Sequence, residues 1–80
     1  MEQWFAILEL SLDGDECSAV RNRISSGLEA FSFFKKKTGR FQALGTAREV
    51  GRGLTEAIEL LRGNPDILDH AWVYIERVVD

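Results

Sequence analysis

The sequence predicts an α+β domain with the ferredoxin-like order strand, helix, strand, strand, helix, strand (βαββαβ), in which two helices cover one face of a four-stranded antiparallel sheet. Three observations predict this fold class. Residues 4–8 and 72–75 are apolar runs rich in aromatic and β-branched side chains, residues 31–34 contain three phenylalanines, and residues 46–62 combine a helix-capping pattern with an amphipathic stripe. With 80 residues, the chain is one domain, residues 1–80.

The first strand is expected at residues 3–12, where side chains alternate between two faces. The face expected to meet the helices carries Trp4, Ala6, Leu8, Leu10 and Leu12. The opposite face carries Phe5, Ile7, Glu9 and Ser11. Large apolar residues therefore lie on both faces of this strand.

A first helix is expected after the turn at Asp13 and Gly14, with Asp15 as its N-cap. Apolar residues then recur at helical spacing: Cys17, Val20, Ile24 and Leu28. The segment 29–38 fits either a continued helix or a strand, and its phenylalanines favour a strand that turns back into a further strand at residues 40–46. The alternative is a βαβαβ fold with one longer helix at residues 16–37.

A second helix is indicated by Thr46 and Glu49, which form a capping-box pattern. Its firm part is residues 54–62, because Gly51 and Gly53 each cost about 1 kcal/mol relative to alanine inside a helix. Gly63 is expected to end it. A last strand is preferred over a helix at residues 71–79, because in a helix the apolar Val73 would lie on the polar side.

Composition narrows the classes of protein to consider. The chain has a single cysteine, Cys17, so it has no internal disulfide, and no cysteine or histidine cluster predicts a metal site. The apolar runs fall far short of the ~18 residues needed to cross a bilayer. Together with the absence of a basic N-terminal segment, this predicts a cytoplasmic protein that does not enter a membrane. The formal net charge of the chain at pH 7 is small, −3.

Motifs for catalysis are missing. Asp13, Asp15 and Glu16 lack the remaining positions of a calcium loop, and His70 beside Asp69 has no nucleophile tied to it by a recognisable spacing. An acylphosphatase of this topology would need an anion-binding glycine loop with an arginine after its first strand, where residues 12–16 are acidic. The sequence therefore assigns no catalytic residue, no cofactor and no metal, and it favours a non-enzymatic protein.

The first functional hypothesis follows from apolar residues left over once the helices cover one face of the sheet. The uncovered face is expected to hold Phe5, Ile7, Trp72, Tyr74 and Val78. Exposed apolar patches of this kind mark interfaces. We therefore expect a small protein-interaction module that self-associates as a homodimer, or docks another protein, through this aromatic sheet face.

The alternative hypothesis comes from the distribution of charge. Basic residues are concentrated in the central third of the chain: Lys35, Lys36, Lys37, Arg40, Arg48 and Arg52. A basic hairpin beside an aromatic sheet face could bind single-stranded nucleic acid, with phosphates on the cations and bases stacked on the rings. The competing interpretation is a charged edge that prevents strand-to-strand aggregation.

Overall fold

The central strand of the fold is β1, Gln3–Leu12, which pairs on one side with β3, Arg40–Gly45, and on the other with β4, Leu68–Val78. In this computed structural model, which describes residues 2–14 and 19–78, β2, Phe33–Lys37, completes a four-stranded sheet of order β2-β3-β1-β4. Each neighbouring pair is antiparallel. With the helices α1, Ala19–Glu29, and α2, Ala47–Arg62, the order is βαββαβ, which confirms the ferredoxin-like prediction and excludes the βαβαβ alternative.

The core lies between the helices and one face of the sheet. Ala6, Leu8 and Leu10 of β1 are buried there, as the alternation of β1 predicts. The full buried cluster comprises Ala6, Leu8, Leu10, Ile24, Leu28, Phe33, Phe41, Ala43, Val50, Leu54, Ala57 and Leu61. Because α2 contacts β1 and β3 while α1 contacts β2, the two helices lie over the β2 side of the sheet.

Helix α2 begins at its capping box. The Glu49 backbone N–H donates to Thr46 Oγ1 at 3.1 Å, and the Thr46 backbone N–H donates to Glu49 Oε1 at 3.2 Å. This reciprocal pair starts the helix at Ala47, so Gly51 and Gly53 lie inside it despite their low helix propensity. The predicted end is also observed, since the Gly63 N–H donates to the carbonyl oxygen of Glu59.

The segment 29–38 resolves into three parts. Helix α1 ends at Glu29, a turn follows in which Ser32 has a φ of 70°, and β2 begins at Phe33. Phe31 therefore belongs to the turn and not to the strand. Strand β4 begins at Leu68, three residues before the predicted residue 71, after a short 3-10 helix at Pro65–Ile67. The predicted N-cap Asp15, Cys17 and Val79 lie outside the described residues.

Helices in the described part of the chain are all too short or too polar to cross a membrane.

Candidate functional site

The face of the sheet that points away from the helices, called the open face here, is built by odd-numbered residues of β1 and even-numbered residues of β4. Phe5 lies opposite Glu76, and Ile7 lies opposite Tyr74. On the other side of β1, Leu44 of β3 lies opposite Phe5. The apolar residues of the open face are Phe5, Ile7, Phe34, Leu44, Trp72, Tyr74 and Val78.

All five residues that the sequence places on this face do lie on it, yet their exposure differs. Trp72 is 49% exposed and Tyr74 is 40% exposed, whereas Ile7 is only 8% exposed. Ile7 lies in the centre of the face, between Gln42 of β3 and Tyr74 of β4. Contact with a partner would therefore bury further area mainly from the two aromatic rings, and little from Ile7.

The two aromatic residues of β4 form one ordered surface. Trp72 and Tyr74 are two residues apart on the same face, and their ring centroids are 6.2 Å apart with an interplanar angle of 15°. The Tyr74 hydroxyl donates a 2.6 Å hydrogen bond to Oε2 of Glu76. This hydrogen bond raises the pKa of Tyr74, and the loss of solvation and the negative charge of Glu76 act in the same direction.

Sequence reasoning missed two members of the open face, Phe34 and Leu44, both of which are exposed. The signal for Leu44 was the alternation within residues 40–45, which places it on the same face as Arg40 and Gln42. Reading that signal requires knowing that β3 pairs with β1, which puts Leu44 opposite Phe5. Phe34 could be assigned only after the start of β2 was known.

Strand β4 is exposed on its helix side as well, a feature that no pattern in the sequence predicts. Val73 lies opposite Leu8 and Ile75 lies opposite Ala6 on that side, yet each is close to half exposed. Two open apolar cavities border this region. One is lined by Trp4, Ala47, Val50, Gly51 and Ile75, and the other by Ile58, Leu61, Arg62, Pro65, Leu68 and Ala71.

The six basic residues of the alternative hypothesis are divided between the two sides of the molecule. Arg40 lies on the open face, where its Nη1 is 3.5 Å from Glu9 Oε2. Lys35 lies opposite Phe41 on the helix side, and Lys37 pairs with Arg40 after a register shift. Arg48 and Arg52 belong to α2 and line a shallow cavity with Thr55 and Glu56. The cations therefore do not form one continuous surface with Trp72 and Tyr74.

Two of the cations contact phenylalanine rings instead. Nζ of Lys36 lies 5.4 Å from the ring centroid of Phe34, and the guanidinium carbon of Arg52 lies 5.7 Å from that of Phe31. These cation–π contacts are worth about 0.5–1 kcal/mol at exposed sites.

The groups considered for chemistry do not converge. His70 is exposed, and its Nδ1 lies 3.1 Å from Oδ2 of Asp69. Cys17 lies outside the described residues, and most of the glycine-containing segment 45–53 forms the start of α2. Within residues 2–14 and 19–78, no group of three or more His, Cys, Asp or Glu side chains is placed to hold a metal ion.

No protein family model matches the chain, and no curated protein matches it. Among solved structures it is similar to the acylphosphatase from Bacillus subtilis, with 14% identity over 100% of this chain and 90% of that chain, and with a TM-score of 0.47.

Proposed function

We propose that this chain is a small, non-enzymatic protein-interaction module that binds an apolar protein surface with the open face of its sheet. The observation that supports this most directly is the pair of stacked, half-exposed rings of Trp72 and Tyr74, on the same face of the sheet as exposed Leu44 of β3. Exposed apolar patches on small soluble proteins mark contact sites. A cytoplasmic setting, suggested by the cysteine usage, is part of this proposal.

The exposed rings of this face can contribute part of the energy of association. A tryptophan or tyrosine buries 150–250 Å² in total, so two half-exposed rings offer roughly 150–250 Å² more, or roughly 4–6 kcal/mol at about 25 cal/mol per Å². Association costs consume much of this, so the face needs its further apolar members to give a stable complex. Phe5, Leu44 and Val78 supply them.

The first partner to test is a second copy of the chain. We expect sedimentation equilibrium to show self-association of the wild type, and we expect Leu44→Asp to weaken it because the change places a charge in the apolar face. Ile58→Asp is a matched control, since Ile58 is 51% exposed and Leu44 is 52% exposed, but Ile58 lies on α2. Circular dichroism of both variants is the check that they fold.

Equal effects of the two substitutions would contradict a role for the open face in self-association. Association with a different protein is tested in the same way, with Leu44→Asp and Ile58→Asp compared for recovery of that protein in a pull-down. A wild type that is monomeric at high micromolar concentration, and whose recovery of other proteins is unchanged by Leu44→Asp, would refute the proposal.

A further inference from the structure

The two edges of the sheet differ in how they are protected from pairing with another strand. At one edge, β2 is only 5 residues long, contains three lysines and has a register shift between Lys35 and Lys37. Short length, lysines and irregular pairing are the devices that block edge-to-edge association. The edge formed by β2 is therefore protected.

At the other edge, β4 lacks these protections between Ala71 and Ile75, and its ionisable residues, Asp69, His70, Glu76 and Arg77, lie toward its ends. It is 11 residues long, contains no lysine or proline, and pairs with β1 without interruption from Val78 to His70. Its register shift lies beyond this stretch, between Ser11 and Leu12 of β1. Long, regular, apolar edge strands are templates for pairing with a further strand. No strand within the described residues covers this edge.

The backbone groups on this edge can be assigned. The Leu10 N–H donates to the Gly39 carbonyl oxygen at 2.8 Å, so even-numbered residues of β1 direct their backbone groups to the β3 side and odd-numbered ones to β4. Ile7 is therefore hydrogen-bonded with Tyr74, its partner in the register. It follows that the outward N–H and C=O groups of β4 belong to its odd-numbered residues: Ala71, Val73, Ile75 and Arg77.

We propose that a second copy of the chain pairs with this edge, β4 against β4, in an antiparallel register centred on Val73. Val73 is the midpoint of Leu68–Val78, so this register pairs the whole strand. Val73 would exchange backbone hydrogen bonds with Val73 of the second copy, and Ala71 with Ile75 of the second copy. The two sheets would join into one sheet of eight strands, four from each copy.

Side chains support this register over its neighbours. His70 lies opposite Glu76 of the second copy, so an acidic and a basic side chain meet twice in the dimer. A shift of the centre by one or two residues in either direction removes this pairing. Within one protomer, Glu76 lies opposite Phe5 and His70 opposite Ser11, and their side chains contact Tyr74 and Asp69 of the same strand, so neither faces an ionisable residue of β1.

Apolar contacts follow the same register. Trp72 lies opposite Tyr74 of the second copy at a non-hydrogen-bonded position, where facing Cα atoms are only about 4.5 Å apart and side chains touch. On the helix side, Val73 meets its own counterpart and Ile75 meets Ala71, which covers part of the surface that α2 leaves exposed. Both open faces then lie on one side of the joined sheet and form one larger surface. The edge pairing itself does not depend on the proposed function of that surface.

Disulfide cross-linking tests the register directly. In a Cys17→Ser background, we expect Val73→Cys to form a covalent dimer rapidly with diamide as the oxidant, because the two facing Cα atoms would be about 5.5 Å apart. Ile75→Cys is the matched control, since it lies on the same side of β4 and is similarly exposed, but it faces Ala71 of the second copy. Equal cross-linking of the two variants, or none by either, would overturn the proposed register.

A proline substitution tests the edge independently of thiol chemistry. Val73→Pro removes an outward N–H and leaves the hydrogen bonds to β1 in place, so the protomer is expected to fold. Its solution mass should be half that of the wild type, whereas Leu44→Asp should leave the β4 pairing intact. If Leu44→Asp alone lowers the solution mass, the edge pairing is wrong and the open-face proposal stands. If Val73→Pro alone lowers the solution mass, the chain self-associates through the β4 edge and not through the open face.

Discussion

Gly53 of α2 and Phe33 of β2 are in such close contact that a Cβ atom on Gly53 would lie 2.7 Å from Cε1 of Phe33. Both residues are buried, and Phe31 also approaches within 3.3 Å of the same position. The missing side chain therefore allows α2 to approach the ring of Phe33 closely. On the helix side of the same sheet, Val73 and Ile75 of β4 remain exposed.

We expect Gly53→Ala to destabilise the fold relative to Gly51→Ala. Either alanine gains about 0.5–1 kcal/mol of helix propensity, but only Gly53→Ala incurs an overpacking cost of typically 1–3 kcal/mol. Nothing lies within 4 Å of a Cβ atom placed on Gly51, so Gly51→Ala should be stabilising. Urea denaturation of both variants measures the difference, and equal unfolding free energies would show that Phe33 moves aside at no cost.

The sequence was sufficient where a local pattern agrees with its tertiary environment. Strand β1 was predicted with its observed bounds, Gln3–Leu12, because its alternation coincides with one covered and one open face. Helix propensity alone does not determine the start of α2, because it penalises Gly51 and Gly53. In the structure, the capping box and the close contact of Gly53 with Phe33 outweigh that penalty.

The candidate site was predictable on β1 and β4 and incomplete elsewhere. Phe5, Trp72 and Tyr74 follow from strand alternation alone, whereas Leu44 depends on which strand lies beside β1. The exposure of Val73 and Ile75 depends on how the helices lie over the sheet, which is set by tertiary packing. No periodicity in the sequence carries that information.

Acid should selectively remove the contribution of Glu49. Its carboxylate accepts hydrogen bonds from the Ser32 hydroxyl at 2.7 Å and from the backbone N–H and hydroxyl of Thr46, and these bonds lower its pKa. Since the folded-state pKa lies below the unfolded value, the ionised group stabilises the fold above the unfolded pKa, and this stabilisation is lost as pH falls through the folded pKa.

Comparison of the wild type with Glu49→Gln tests this prediction, because glutamine can keep the capping box but not the charge. The wild type should be the more stable at neutral pH, and the gap should narrow in acid when urea midpoints are followed against pH. Glu59→Gln is the control, since Glu59 forms only an exposed ion pair with Arg62 at 3.7 Å. A gap that stays constant from neutral to acidic pH would contradict the assignment.

Single-stranded nucleic acid should bind weakly or not at all. Arg40 is already paired with Glu9, Lys36 lies over Phe34, and Arg48 and Arg52 lie on α2, away from the aromatic residues of β4. We expect fluorescence anisotropy to show no binding of mixed oligonucleotides at low salt. Salt-sensitive binding that disappears when Lys35, Lys36 and Lys37 are changed to glutamate would instead support the nucleic-acid hypothesis.

Alkaline titration of Tyr74 reports directly on the open face, because it is the chain's single tyrosine. Its hydroxyl donates to Glu76, and deprotonation would remove this hydrogen bond and place two negative charges side by side. Glu76→Ala should therefore lower the pKa of Tyr74 toward its ordinary value, as followed by ultraviolet absorbance of the phenolate. Glu59→Ala, which removes a carboxylate on α2, should leave the titration unchanged. An unchanged titration in Glu76→Ala would show that the hydrogen bond between Tyr74 and Glu76 does not persist in solution. This hydrogen bond would then not hold the ring of Tyr74 beside Trp72.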